Sequence, residues 1–106
     1  MYSYPFEGQE GFSEMNRIMD QIRNFNHLGD DVISQKIDYH LGIDGLPKSN
    51  VVKLVLDTGS TIIVRPSGTE PKIKIYLSIQ EKDKETAFLT EKRLVQELNQ
   101  VMKGKQ

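Results

Sequence analysis

A chain of 106 residues has room for one hydrophobic core but hardly two, so a single domain over 1–106 is expected. A hydrophobic fraction of 37% against 27% charged residues is that of a folded soluble protein, and a formal net charge of −1 excludes the broad cationic surface of a duplex DNA binder. The absence of cysteine rules out disulfides, thiolate metal sites and thiol nucleophiles; with no apolar run near about 18 residues and no signal-peptide pattern, a cytoplasmic location without membrane contact is the expectation.

Residues 2 to 6, Tyr-Ser-Tyr-Pro-Phe, alternate aromatic and other side chains and suit a short edge strand, where Pro5 is tolerated. Phe12, Met15, Ile18, Met19, Ile22 and Phe25 recur at spacings of three and four, which predicts a helix from 12 to 25 with these residues in its buried stripe. Gly29 marks its exit. The run from 32 to 39 reads as a strand with Ile33 and Ile37 on one side. A loop follows over 42 to 49, with Gly42, Gly45 and Pro47. From 51 to 57, Val52, Leu54 and Leu56 alternate with Lys53, the pattern of a half-buried strand.

Asp57-Thr58-Gly59-Ser60 predicts a hairpin turn, since glycine adopts the positive φ that tight turns need. Its second arm, 61 to 65, places Ile62 and Val64 toward the core and Arg65 away from it. After a loop rich in Pro and Gly, Ile73, Ile75, Leu77 and Ile79 alternate with Lys74, Tyr76 and Ser78. Asp83 is a suitable N-cap for a last helix to about 102, with Ala87, Leu94, Leu98 and Val101 in its buried stripe and Gly104 at its end. The order strand, helix, four strands, helix predicts an α+β domain whose two helices pack on one face of an antiparallel sheet of four or five strands.

The segment Arg65-Pro66-Ser67-Gly68-Thr69-Glu70-Pro71-Lys72 has the chemistry of an anion site. Arg65 presents a planar fork of donors that grips two phosphate oxygens, and Ser67 and Thr69 add hydroxyls. Gly68 leaves its backbone N–H open to an approaching oxygen, and the two prolines restrict the loop. Lys74 can add charge from the next strand, with Lys72 a weaker candidate. Arg65, Lys72 and Lys74 stand against one acid, Glu70, a local excess suited to one small anion. The loop lacks the Gly-x-x-x-x-Gly-Lys run of a nucleotide P-loop and precedes a strand. The two histidines, His27 and His40, stand in ordinary contexts and form no metal-ligand spacing. The acids Asp30, Asp31 and Asp38 lack the spacing of a calcium loop. The aromatics are too scattered for a base-stacking platform.

The run Arg65 to Tyr76 closely resembles the C-terminal domain of the α-D-phosphohexomutases, the phosphoglucomutase and phosphomannomutase family. Glu7-Gly8-Gln9-Glu10-Gly11, Leu46-Pro47-Lys48-Ser49-Asn50 and Asp57-Thr58-Gly59-Ser60 support the resemblance, which covers nearly the whole chain. Pro66 and Lys72 look more like the bacterial phosphoglucomutase branch than the phosphoglucosamine mutase branch. The resemblance implies a fold like the TATA-box-binding protein, without DNA binding, because function follows the site rather than the fold. It further implies that Arg65, Ser67, Gly68 and Thr69 hold the substrate phosphate that is not being transferred, with Lys74 at a position usually basic in the family.

Family enzymes interconvert hexose 1-phosphate and hexose 6-phosphate through a phosphoserine, with Mg2+ and a glucose 1,6-bisphosphate activator. This chain has no Ser-His-Asn-Pro run and no Asp-Gly-Asp-Gly-Asp loop. It therefore reads as the fourth domain of a longer phosphotransferase, inactive alone, with a hexose phosphate and three upstream domains as its partners. A freestanding phospholigand-binding or regulatory module is the alternative, and a single-stranded nucleic-acid binder is disfavoured by charge and aromatic placement.

Overall fold

The computed structural model describes residues 2–6, 8–29, 31–39, 50–67 and 70–103. In chain order they form β1 (Tyr2–Pro5), α1 (Gly11–Arg23), β2 (His27–Leu28), β3 (Asp31–Asp38), β4 (Val52–Leu56), β5 (Thr61–Pro66), β6 (Lys72–Ser78) and α2 (Lys84–Met102). The expected loop over 42–49, and Gly104 as helix stop, lie outside the described residues.

Strict alternation in β4, β5 and β6 gives the sheet two unlike faces. Val52, Leu54, Leu56, Ile62, Val64, Ile73 and Ile75 are all buried, and pairing aligns them in rows, with Val52 opposite Val64 and Val64 opposite Ile75. Met15, Ile18, Met19 and Ile22 of α1 and Leu94, Leu98, Val101 and Met102 of α2 complete the same core. Both helices therefore cover one face, each buried aliphatic side chain contributing about 1.5–3 kcal/mol of transfer free energy. The opposite face carries Lys53, Ile63, Arg65, Lys74 and Tyr76.

The strands run in the order β1-β6-β5-β4-β3-β2, every neighbouring pair antiparallel. The described sheet thus has six strands rather than four or five. The addition is β2, a two-residue strand that sends Leu28 into the core and turns back into β3. Gly29 belongs to that turn, at φ +60, and does not end the helix. α1 stops at Arg23, whose Nε donates to Asp38 of β3 at 3.0 Å. Phe25 lies beyond it, half-buried against the core.

Phe12 departs from its expected core position and is 45% exposed. Gly11 takes the inward position in that turn, beside Phe6 and Pro71. In β3 the pairing skips between Ile33 and Gln35, so that Ile33 opposes Leu56 while Gln35 opposes Val55. This bulge shifts the strand's parity. Ile33 joins the core, whereas Ile37 opposes Lys53 on the other face. The Ser34 hydroxyl at the bulge donates to the Val55 carbonyl at 3.1 Å.

The turn between β4 and β5 is built as expected. Gly59 sits at φ +93 and its N–H donates to the Leu56 carbonyl at 2.9 Å. Ser60 is buried and its hydroxyl accepts the Gln80 N–H at 3.0 Å, fastening the hairpin to the chain leaving β6. Asp83 caps α2 by accepting the Thr86 N–H at 2.8 Å. That backbone bond, reinforced by the Thr86 hydroxyl, holds its carboxyl below the ordinary aspartate range. Ala87 is only half-buried, so the buried stripe of α2 starts at Leu94. Among the described residues no helix is long and apolar enough to cross a membrane.

Candidate anion site

Arg65 and Lys74 face each other directly across β5 and β6. Each alternates with buried neighbours, Val64 on one strand and Ile73 and Ile75 on the other, so both side chains project from the face opposite the helices. Like charges placed opposite each other on antiparallel strands repel. Neither forms an ion pair among the described residues. Lys72, by contrast, pairs with Glu70 at 3.5 Å, which neutralises the charge nearest the turn.

The turn that follows Arg65 is braced by its own polar groups. The Ser67 N–H donates to the Lys72 carbonyl at 2.8 Å, and the Lys72 N–H to the Glu70 carbonyl at 2.8 Å. The Ser67 hydroxyl oxygen accepts the Glu70 N–H at 3.2 Å. Ser67 is therefore held at the base of the turn on the Arg65 strand. Gly68 and Thr69 lie outside the described residues.

Two contributors were not visible in the residue pattern. Ser3 opposes Lys74 from the edge strand β1, so a row Ser3–Lys74–Arg65 crosses three strands. Only the pairing of the chain's first strand with β6 reveals it. Gly11 is the second. A Cβ there would stand 2.5 Å from the Phe6 carbonyl oxygen and 2.9 Å from the Pro71 Cβ, so glycine lets the start of α1 close against the far end of the turn. The Phe6 N–H also donates to the Pro71 carbonyl at 2.7 Å. Gly11→Ala is accordingly expected to lower stability by about 1–3 kcal/mol through the clash, despite alanine's higher helix propensity. The measurement is urea denaturation together with the amide shift of Lys72; undiminished stability with an unmoved Lys72 amide would contradict this packing.

His27 is exposed, with its Nδ1 3.2 Å from the Gly29 carbonyl oxygen, and stands at the sheet edge opposite to β1. His40 and Asp30 lie outside the described residues. The magnesium that the resemblance implies finds no ligand set here: among the described residues, no group of three or more His, Asp or Glu side chains converges.

Comparison with known proteins places this geometry in context. Residues 7–95 match the family model described as phosphoglucomutase/phosphomannomutase, C-terminal domain. Over 89 residues, covering 71% of this chain and 16% of the relative, the chain is 42% identical to a phosphoglucomutase of Staphylococcus saprophyticus. It is 37% identical to a phosphoglucomutase of Staphylococcus aureus over 94 residues, 76% of this chain and 17% of the relative. A Staphylococcus epidermidis phosphoglucomutase is 37% identical over 93 residues, 74% of this chain and 17% of the relative. The chain thus spans only a small part of the length of the curated relatives it matches. The extent of the family match and these identities show that the chain belongs to the phosphoglucomutase/phosphomannomutase family, as its C-terminal domain.

Proposed function

We propose that this chain is the phosphate-holding fourth domain of a phosphohexomutase that interconverts hexose 1-phosphate and hexose 6-phosphate. The observation that carries the reading is the opposition of Arg65 and Lys74, two cations without a carboxylate partner among the described residues, at the mouth of a braced turn. A dianionic phosphate relieves their repulsion and accepts the guanidinium fork. Ser67 adds its hydroxyl at the base of the turn, and Gly68 and Thr69 complete the set by their place in the family signature. The domain comprises residues 1–106 and has the saddle-like architecture of the TATA-box-binding protein.

Its part in the reaction is orientation. Holding the phosphate that is not being transferred fixes the sugar relative to groups on the upstream domains, and such remote binding lowers the barrier only when it positions the reacting end. The phosphorylated serine, Mg2+ and the response to glucose 1,6-bisphosphate belong to those domains, so the chain alone has no turnover. A cytoplasmic location goes with this reading, because a charged sugar phosphate does not enter a bilayer unaided.

Two measurements test it together. Purified chain given glucose 1-phosphate, glucose 1,6-bisphosphate and magnesium is expected to produce no glucose 6-phosphate above blank. Inorganic phosphate titrated into 15N-labelled chain is expected to shift the Arg65, Ser67 and Lys74 amides saturably. Turnover at an enzyme's rate by contaminant-free chain would overturn the division of labour, and an unresponsive Arg65–Lys74 hairpin would overturn the site.

A further inference from the structure

Beyond the Ser3–Lys74–Arg65 row, the open face of the sheet continues into a second row of a different character. Tyr76 opposes Ile63, Ile63 opposes Lys53, and Lys53 opposes Ile37. Tyr76 follows Lys74 by two residues on the same strand face, about 6.6 Å along the strand. It lies diagonally across from Arg65. Tyr76 is 39% exposed, and its hydroxyl has no hydrogen bond among the described residues. On the other side of the cation pair the hairpin runs into the turn, where the Glu70–Lys72 ion pair stands.

A phosphate seated between Arg65 and Lys74 therefore has two unlike neighbours. Toward the turn the described residues present an ion pair; along the sheet they present an aromatic ring beside an aliphatic side chain. The C–H face of a pyranose packs on an aromatic ring, and the phenol adds a hydroxyl that can meet those at the sugar's edge. We infer that Tyr76, backed by Ile63, is the platform that receives the sugar ring of a phosphosugar whose phosphate is held by Arg65 and Lys74. The inference rests on the phosphate reading above and extends it from an anion to the group attached to it: Tyr76 makes the site prefer a phosphosugar to bare phosphate. Because Tyr76 is turned away from the core, its replacement is expected to leave the fold in place.

The test compares glucose 6-phosphate with inorganic phosphate, each titrated into 15N-labelled chain and into its Tyr76→Ala, Tyr76→Leu, Tyr76→Phe and Arg65→Ala variants, with the dispersion of each spectrum reporting the fold. Wild type is expected to bind glucose 6-phosphate more tightly than phosphate. Tyr76→Ala is expected to weaken glucose 6-phosphate about three- to tenfold with phosphate unchanged, and Tyr76→Phe to keep most of the affinity. Tyr76→Leu retains bulk without the aromatic ring and is expected to fall between them. Equal affinities of wild type for the two ligands would overturn the platform. So would Tyr76 variants that weaken both ligands alike or neither, or an alanine variant that loses the fold together with a leucine variant that binds as wild type. Arg65→Ala separates the two readings: unchanged phosphate binding in that variant removes the phosphate site itself, whereas lost phosphate binding with no Tyr76 effect removes only the platform.

Discussion

Ile75→Asp is expected to abolish the cooperative fold of the domain. Ile75 is fully buried between the rows that β5 and β1 contribute, opposite Val64 on one side and Tyr2 on the other. An aspartate there places a carboxylate in an apolar layer, where it must either be buried charged and unpaired or taken up protonated. Either way the cost is several kcal/mol, comparable with the 5–15 kcal/mol that is the total stability of ordinary domains. Leu77→Asp is expected to be milder, because Leu77 is half-buried at the margin of the same core. Tyr76→Ser, between them in sequence but on the opposite face, is expected to stay within about 1 kcal/mol of wild type. Urea denaturation followed by circular dichroism ranks the three. Equal losses across Ile75, Tyr76 and Leu77 would contradict the assignment of one face to the helices and the other to the site.

Arg65→Ala carries the second large effect, on function rather than folding. In the full-length parent enzyme it is expected to lower kcat/KM by about 2 to 4 kcal/mol of transition-state stabilisation. The side chain loses both its charge and its paired donors. Arg65→Lys keeps the charge but presents a compact ammonium in place of the fork, so only part of the loss is recovered. On the proposed reading Arg65 binds phosphate through its paired donors and moves no proton, so the pH profile of the residual activity is expected to keep its shape. If the bisphosphate activator is held by the same clamp, as the proposed function implies, single-turnover phosphoryl transfer from it is expected to slow as well. A folded Arg65→Ala parent with unchanged kcat/KM and transfer rate would remove Arg65 from the site.

The contrast between these two positions follows from what the amino-acid pattern makes legible. Alternation over Val52–Leu56, Thr61–Pro66 and Lys72–Ser78 specifies which side chains face the helices, because a period of two admits only one assignment once a face is buried. Arg65, Lys74 and Tyr76 were therefore placeable on the open face from sequence. The same reasoning misplaced Ile37, since the extra residue at the Ile33–Gln35 bulge inverts parity and no residue type announces it. β2 leaves no periodic signature because two residues cannot display a period; its only mark is Leu28 beside Gly29. Phe12 kept the helical spacing yet points outward, because Gly11 brings the first turn of α1 too close to Phe6 and Pro71 for a larger side chain to lie inward there. In the site, the Arg65–Lys74 opposition was half legible: the faces could be read, but the register could not. Ser3 was invisible, since strand order is set by packing across the whole sheet rather than by any local signal.

The most direct measurement of the central claim is a crystal structure of the chain with glucose 6-phosphate bound. The expected result is a phosphate whose oxygens lie about 2.7–3.2 Å from the Arg65 guanidinium and the Lys74 ammonium, at the base of the turn held by Ser67. A phosphate bound elsewhere on the domain, with Arg65 and Lys74 both directed into solvent, would contradict it.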